Sequence, residues 1–203
     1  DSNGNVVTAN TDTETGTDKG AETAVNSTTY TITVEDQPTN KLYTVEDDTV
    51  TNDQLKEKVN PTAVEGFTPT KNDITDIPTT AGKAGQTLPT PATVTYTKGT
   101  ETISVATKVD VVVLPKVTPE GVKVLKDSTG LEEVVKAKAT EAATATTKLP
   151  DGVTVRVKEI KAGTVPATTA TGVQTPATAV VEYVKDGNVV KTSEVPVPVT
   201  VVG

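Results

Sequence analysis

The chain carries an internal repeat, and that repeat limits the folds open to it more than any composition value. The stretch TYTKGTETISVATKVDVVV, Thr95 to Val113, returns as EYVKDGNVVKTSEVPVPVTVV, Glu182 to Val202. Tyr96 aligns with Tyr183 at an offset of 87 (183 − 96), and Gly85 with Gly172 and Pro89 with Pro176 at the same offset. Upstream, Gly66 meets Gly152 and Ile74 meets Ile160 at 86. Past the turn, Val109, Val111 and Val113 meet Val197, Val199 and Val201 at 88, a step read as one residue inserted in the turn, Lys98-Gly99 against Lys185-Asp186-Gly187. So small a drift over so long a stretch implies two tandem copies of one building block of roughly 80 residues.

Each copy keeps the same internal order. A short extended segment opens it, KLYTVEDD in the first and GVKVLKDS in the second. A helical stretch follows. TNDQLKEKV offers Thr51 as N-cap with Gln54 three residues on, and TGLEEVVKAKATEAA offers Thr129 with Glu132, a capping-box spacing in both. Strands take over next. In VTVRVKEI, Val153, Val155 and Val157 alternate with Thr154, Arg156 and Lys158, which predicts a strand with one dry face. A loop rich in Pro, Gly and Thr then leads into a hairpin, ATVTYT-KG-TETISV in one copy and AVVEYV-KDGN-VVKTSEV in the other. Gly at the turn tolerates the positive φ that such hairpins require. A valine strand closes each copy. Pro196 and Pro198 share a parity on that strand in the second copy, so their missing N–H groups fall on one side, which predicts a sheet edge. Lys108 and Asp110 stand at the matching positions of the first copy and are read as another way to blunt an edge.

Outside the repeat, residues 1–28 are polar, acidic and without periodicity, and read as a flexible leader. Tyr30 to Gln37, YTITVEDQ, alternates like a strand. The join LPKVTPEG, Leu114 to Gly121, is short and holds two prolines, which predicts copies set end to end with restricted swing.

Composition narrows the function classes. Of 203 residues 34% are hydrophobic and only 2% aromatic, while roughly a fifth are Thr, a β-branched vocabulary suited to strands with one wet face. The formal charge of −8 argues against nucleic acid or an anionic membrane as partner. No apolar run approaches the roughly 20 residues of a membrane span. His and Cys are both absent, which removes the commonest general base, the commonest zinc ligands and the thiol nucleophile. An enzyme would have to work with carboxylates, Lys, Tyr, Ser or Thr alone.

The endings TPATVTYTKGTETISVATKVDVVV and TPATAVVEYVKDGNVVKTSEVPVPVTVV resemble the close of the Rib/alpha-like repeats of Gram-positive cell-wall-anchored surface proteins, where a strand passes through a Tyr-Pro-Asp-Gly type turn into a valine-alternating strand. The matching turns are Tyr96-Thr97-Lys98-Gly99 and Tyr183-Val184-Lys185-Asp186-Gly187, the second keeping the Asp-Gly pair. The resemblance spans most of residues 38–203. The family's Trp after its LP-G segment is missing, with Val155 near LPDGVTVRV and Phe67 in VEGFTPT. The resemblance implies a mainly β fold of two tandem Ig-like β-sandwich domains, 29–115 and 116–203, each with a short helix. It also implies an extracellular, cell-wall-anchored location and a stalk that projects a binding region, with monomers in an elongated array. No cofactor and no catalytic activity follow from it.

Sharper site assignments are set against bland ones. Asp1, Asn3 and Asn5 have calcium-loop spacing, but Gly4 is misplaced and no Glu stands at the twelfth position, so coincidence is the preferred account. The acidic clusters Glu46-Asp47-Asp48 and Asp73/Asp76 are read as solvated turns, with calcium as the alternative. Lys123 and Asn188 are the nominees for an internal Lys–Asn isopeptide crosslink, although Asn188 falls in the predicted turn. Asn26-Ser27-Thr28 matches a glycosylation sequon and is read as coincidence. No residue is assigned a catalytic, metal or cofactor role. The competing function is an adhesin module that binds a host surface protein or glycan through the leader and first domain; the poverty in aromatics and a single Arg, Arg156, weigh against it. A carboxylate-based hydrolase ranks last.

Overall fold

The computed structural model describes residues 5–17 and 24–36 as backbone and residues 40–203 in full. The elements run β1 (Asn5–Thr17), β2 (Ala24–Asp36), β3 (Lys41–Val45), α1 (Asn52–Lys58), β4 (Thr68–Lys71), β5 (Thr87–Lys98), β6 (Glu101–Leu114), β7 (Val122–Leu125), α2 (Leu131–Ala145), β8 (Val153–Ile160), β9 (Gly172–Val173), β10 (Ala177–Lys185), β11 (Asn188–Val197) and β12 (Val199–Val202). Among the described residues the chain is mainly β with two short helices, and besides the antiparallel β1–β2 pair there are three sheets, ordered β3-β6-β5-β4, β11-β10-β8 and β7-β12-β9. β1 falls inside the segment read as a leader, in a stretch where Val and Thr recur. Among the described residues no helix is long and apolar enough to cross a membrane.

Chain contacts define two units. The first takes in the described residues of Asp1–Leu42 with Thr49–Thr79 and Thr87–Val111; the second is built from Tyr43–Asp48, Thr80–Gln86 and Val112–Gly203. In the first, Leu55 of α1, Tyr96 of β5 and Val109 and Val111 of β6 are fully buried. The second has a continuous core in which Val135 and Ala139 of α2 join Val181 and Tyr183 of β10 and Val197 and Val199 of the closing strands.

The repeat reappears in the pairing. Thr68↔Thr97 and Pro69↔Tyr96 face each other across β4–β5, as Thr154↔Val184 and Val155↔Tyr183 do across β8–β10. Asp47 and Asp127 both take left-handed backbone, at φ 74° and 64°. Each sits in a turn closed by an N–H to a carbonyl three residues back, Asp48 to Val45 and Ser128 to Leu125. The Thr80 and Thr168 hydroxyls then donate to the Asp48 and Ser128 carbonyls, each at 2.9 Å. Asp tolerates this conformation because its short side chain can bond locally.

Four local expectations are revised. The extra residue of the second copy is not in its turn: both hairpin loops hold two residues, Gly99-Thr100 and Asp186-Gly187. Pairing instead steps from Tyr183↔Lys191 to Val184↔Val189, so Val190 is left over as a bulge. Asp186 and Gly187, at φ 52° and 79°, supply the two positive φ angles of a tight primed turn. Second, Thr129 does not cap α2. Gly130 takes the N-cap position at φ 77° with no side-chain cap, and the helix starts at Leu131, which leaves Glu132 one place short of the capping-box position. Around α1 the predicted box is complete, with Thr51 Oγ1 accepting from Gln54 N at 3.2 Å and Thr51 N donating to Gln54 Oε1 at 3.0 Å.

Third, the closing strand is an edge for only part of its length. β11, with Pro196, is an edge strand, but beyond Pro198 the chain leaves that sheet and β12 becomes the middle strand of the next. Pro198 has no N–H to give, yet its carbonyl accepts from Val122 N at 2.9 Å, while Val199 to Val202 regain donors for two neighbours. Fourth, Lys108 and Asp110 blunt no edge, because β6 lies between β3 and β5. Asp110 N donates to Asn40 O at 3.1 Å and Asn40 Nδ2 to Lys108 O at 2.6 Å.

The alternation in VTVRVKEI holds until Lys158. There the pairing steps from Val181↔Val157 to Val180↔Glu159, so Lys158 is bulged out and Ile160 rather than Glu159 is buried.

Thr51→Ala should cost about 1 kcal/mol of stability, whereas Thr129→Ala should stay within about 0.5 kcal/mol of the parent. Urea unfolding followed by circular dichroism compares them; equal losses would contradict the cap assignment.

Candidate functional site

The join, Leu114 to Gly121, is flanked on both sides by sizeable clefts. Its residues alternate as a strand's would: Pro115, Val117 and Pro119 are buried while Lys116, Thr118 and Glu120 are exposed. Two prolines fix φ without needing donors, so the segment can run beside the core unladdered. One cleft of about 460 Å³ opens between the join and α2, and one of about 410 Å³ between the join and β11. Lys116 and Thr118 line both.

Tyr183 fixes the join. Its ring is fully buried and its hydroxyl donates to the Pro115 carbonyl at 2.6 Å. Proline contributes an acceptor and no donor, and the buried phenol needs an acceptor, so each satisfies the other. Burial, with a smaller contribution from the Asp48 carboxylate, pushes the Tyr183 phenol up to about 12. The equivalent Tyr96 is as buried, donates to Thr62 O at 3.1 Å and is also shifted upward by burial. The same residue type at the same repeat position thus ties down a different loop in each copy.

Lys116 pairs with Asp47, and that hydrogen bond and charge, helped by Glu46 and Asp48, hold its ammonium above the usual lysine range. Both side chains are about half exposed, so the pair orients the join more than it stabilises it. The larger cleft carries Glu46, Glu120 and Glu141 against Lys116, Lys138 and Lys148, and Lys138 lies 3.9 Å from Glu141. This mixed lining offers neither a single-sign field for a charged ligand nor a nucleophile aligned with a base.

The residues weighed from sequence fall as follows. Asp47 faces a lysine, and Asp73 accepts from Lys56 Nζ at 3.0 Å and Asn52 Nδ2 at 3.1 Å, which lowers its carboxyl below the usual range. Asp76 is exposed. Among the described residues no three acidic side chains gather as a metal group. Lys123 lies on β7 and Asn188 on β11, in different sheets and both exposed, and Asn188 Nδ2 donates to Asp186 O at 3.4 Å. The fold does not bring these two together for a crosslink in a dry pocket. Asp1 and Asn3 lie outside the described residues, and so do the side chains of Asn5 and Asn26-Ser27-Thr28. The join reads from sequence as a linker; the recurring Tyr is the available signal of its anchor, and its partner, a proline carbonyl 68 residues away, carries none.

A scan against family models and a search of curated proteins both find no match for this chain.

Tyr183→Phe should cost about 1–3 kcal/mol, since it leaves the Pro115 carbonyl buried without a donor. In the parent, stability is unaffected by this phenol below pH 10. Between pH 10 and about 12 the unfolded chain releases the proton while the folded chain holds it. Stability therefore falls by up to about 1.4 kcal/mol per pH unit across that window. Absorbance titration of tyrosinate with parallel unfolding tests this; an unchanged alkaline limb in Tyr183→Phe would contradict it.

Proposed function

We propose that the chain is a load-bearing spacer, a stalk segment of a bacterial surface protein, built from two copies of one Ig-like module. The observation that carries this reading is how a copy is closed. In the second copy the opening strand β7 and the closing strand β12 pair in parallel, from Val122↔Val199 to Leu125↔Val202. Val122 N donates to Pro198 O at 2.9 Å at one end and Lys126 N to Val202 O at 2.7 Å at the other. In the first copy Asp110 N donates to Asn40 O at 3.1 Å and Glu46 N to Leu114 O at 2.8 Å, steps in the same direction along both strands. Tension applied along the chain pulls two parallel strands past each other and loads their evenly spaced bonds together. An antiparallel pairing of first and last strand would let them peel apart one bond at a time.

Three further observations support a spacer. The join is pinned by Tyr183 and Lys116. The larger cleft beside it has a mixed lining of Glu46, Glu120 and Glu141 against Lys116, Lys138 and Lys148. The closing motifs resemble those of Rib/alpha-like repeats, which adds a cell-wall-anchored, extracellular location to the proposal.

Single-molecule pulling on the full chain tests it. The account expects a high-force unfolding event that Val124→Pro lowers, because that change removes an N–H from the β7–β12 pairing, while Asn188→Ala at the exposed hairpin tip leaves it unchanged. Equal forces in all three chains would end the load-bearing reading. Saturable binding of the chain to host cells, lost when residues 1–115 are removed, would favour the adhesin alternative instead.

A further inference from the structure

The smaller cleft beside the join, of about 410 Å³, follows an unpaired strand edge. Ser193, Glu194, Val195 and Pro196 all line it, and consecutive residues of a strand do so where a cleft runs along the edge rather than over one face. β11 is the outer strand of β11-β10-β8 there. The direction of its backbone groups follows from its neighbour. Thr178, opposite Pro196, donates its N–H to Thr164 Oγ1 at 3.1 Å and accepts from Lys161 N at 2.8 Å, so both its groups face away from β11. Thr178 and Pro196 are therefore a non-hydrogen-bonded pair, and by alternation the backbone groups of Thr192, Glu194 and Pro196 point outward. The edge offers the amides of Thr192 and Glu194 and the carbonyls of all three residues; Pro196 withholds one donor and no acceptor.

The lining shows which chemistry fits beside that edge. Its floor is apolar: Val45, Val117, Val195 and the Tyr183 ring are all buried. Glu46 and Asp48, from the turn after β3, and Glu194 of β11 bring carboxylates to it. Lys116 is the cationic side chain of the lining, and Asp47 already holds it. Lys161 meets Glu194 at 3.0 Å from outside the cleft, with both side chains about half exposed. Among the described residues neither Glu46 nor Asp48 has a hydrogen bond or a close ion pair through its carboxylate. After burial, the Asp48 charge is the second influence that raises the Tyr183 phenol, so it bears on the floor of the cleft. Negative charge is thus in excess, over an apolar floor and next to unbonded backbone. A free amine would meet the charge and leave the edge unpaired. A second copy of this chain, at −8, would meet like charge. An extended basic peptide satisfies edge, floor and charge together.

We infer that this cleft binds a short extended peptide segment of a cationic partner protein, added to the β11 edge from Thr192 to Pro196, with the stem of one lysine or arginine on the apolar floor and its charge among Glu46, Asp48 and Glu194. The missing donor of Pro196 at one end and the Val190 bulge at the other confine the guest to a short register. This site lies beyond the spacer reading and uses none of the β7–β12 closure bonds, so either can fail without the other.

The test titrates the full chain with acetyl-Val-Thr-Arg-Thr-Val-amide, and with the same peptide carrying Glu in place of Arg, followed through backbone amide NMR signals. Expected with the Arg peptide are saturable shifts at Ser193 to Val195 and at Lys116 to Thr118, with slowed exchange of the Thr192 and Glu194 amides. The Glu peptide should bind about tenfold more weakly or worse. Asp48→Asn should weaken the Arg peptide several-fold. Thr192→Pro, which removes an outward N–H and leaves the pairing with β10 intact, should abolish its binding. Glu141→Gln, in the larger cleft, should change nothing. Equal binding of the two peptides, undiminished binding in Thr192→Pro, or no saturable shift at these positions would overturn the inference. Should Thr192→Pro not fold, the Arg peptide with N-methylated backbone amides stands in, and its binding as tightly as the plain peptide would count against the site in the same way.

Discussion

Everything in the second copy hangs on one strand that serves two sheets. From Asn188 to Val197 the chain is an edge partner of β10, and from Val199 to Val202 it is the centre of β7-β12-β9. Its inward valines, Val195, Val197, Val199 and Val201, are buried throughout, so the same side faces the core although the hydrogen-bonding partners change. That exchange is possible because Pro198 interrupts donation at a single point while its carbonyl still accepts from Val122. A chain poor in aromatics cannot rely on a few large side chains to join its layers. One β-branched strand running through both sheets does that work instead.

The tyrosines are the exception to the aliphatic core, and their placement shows why they recur. Tyr96 and Tyr183 are both fully buried. Each bears the one polar atom that must find an acceptor, and each spends it on a loop carbonyl outside the sheets. For the second copy that carbonyl belongs to the join, so a core residue also sets where the module begins. The charged pair Lys116–Asp47 lies beside the same join and adds orientation at the surface. Function, on the spacer reading, resides in these connections and in the parallel closure of each copy; the larger cleft alongside carries balanced charges and no aligned nucleophile and base.

Much of this was legible in the residues. The offsets found between the copies match the pairing of β4–β5 with β8–β10, and a Cβ at Gly66 or at Gly152 would meet the stem of the lysine that follows the repeat tyrosine. The capping box at Thr51 was readable because all its partners lie within four positions. What escaped was decided by tertiary pairing. Val190 and Lys158 look like ordinary members of alternating strands, and only the partner strand shows that each is bulged. Thr129 fits a cap, but Gly130 can take the left-handed conformation that starts α2 one residue later. Two prolines of equal parity correctly signal lost donors; they do not say that the strand will change sheets at the second of them. The join reads as a linker because a proline carbonyl carries no sequence signal that a tyrosine far along the chain will claim it.

Native-state hydrogen exchange tests the central claim most directly. If opening and closing strands lock each copy in parallel, the amides of Glu46, Val122 and Lys126 should exchange only through global unfolding, as slowly as that of Val181 in the core strand β10. Exchange of those three amides at the rate of free loop amides, with Val181 still protected, would show that the closure frays on its own and would contradict the account.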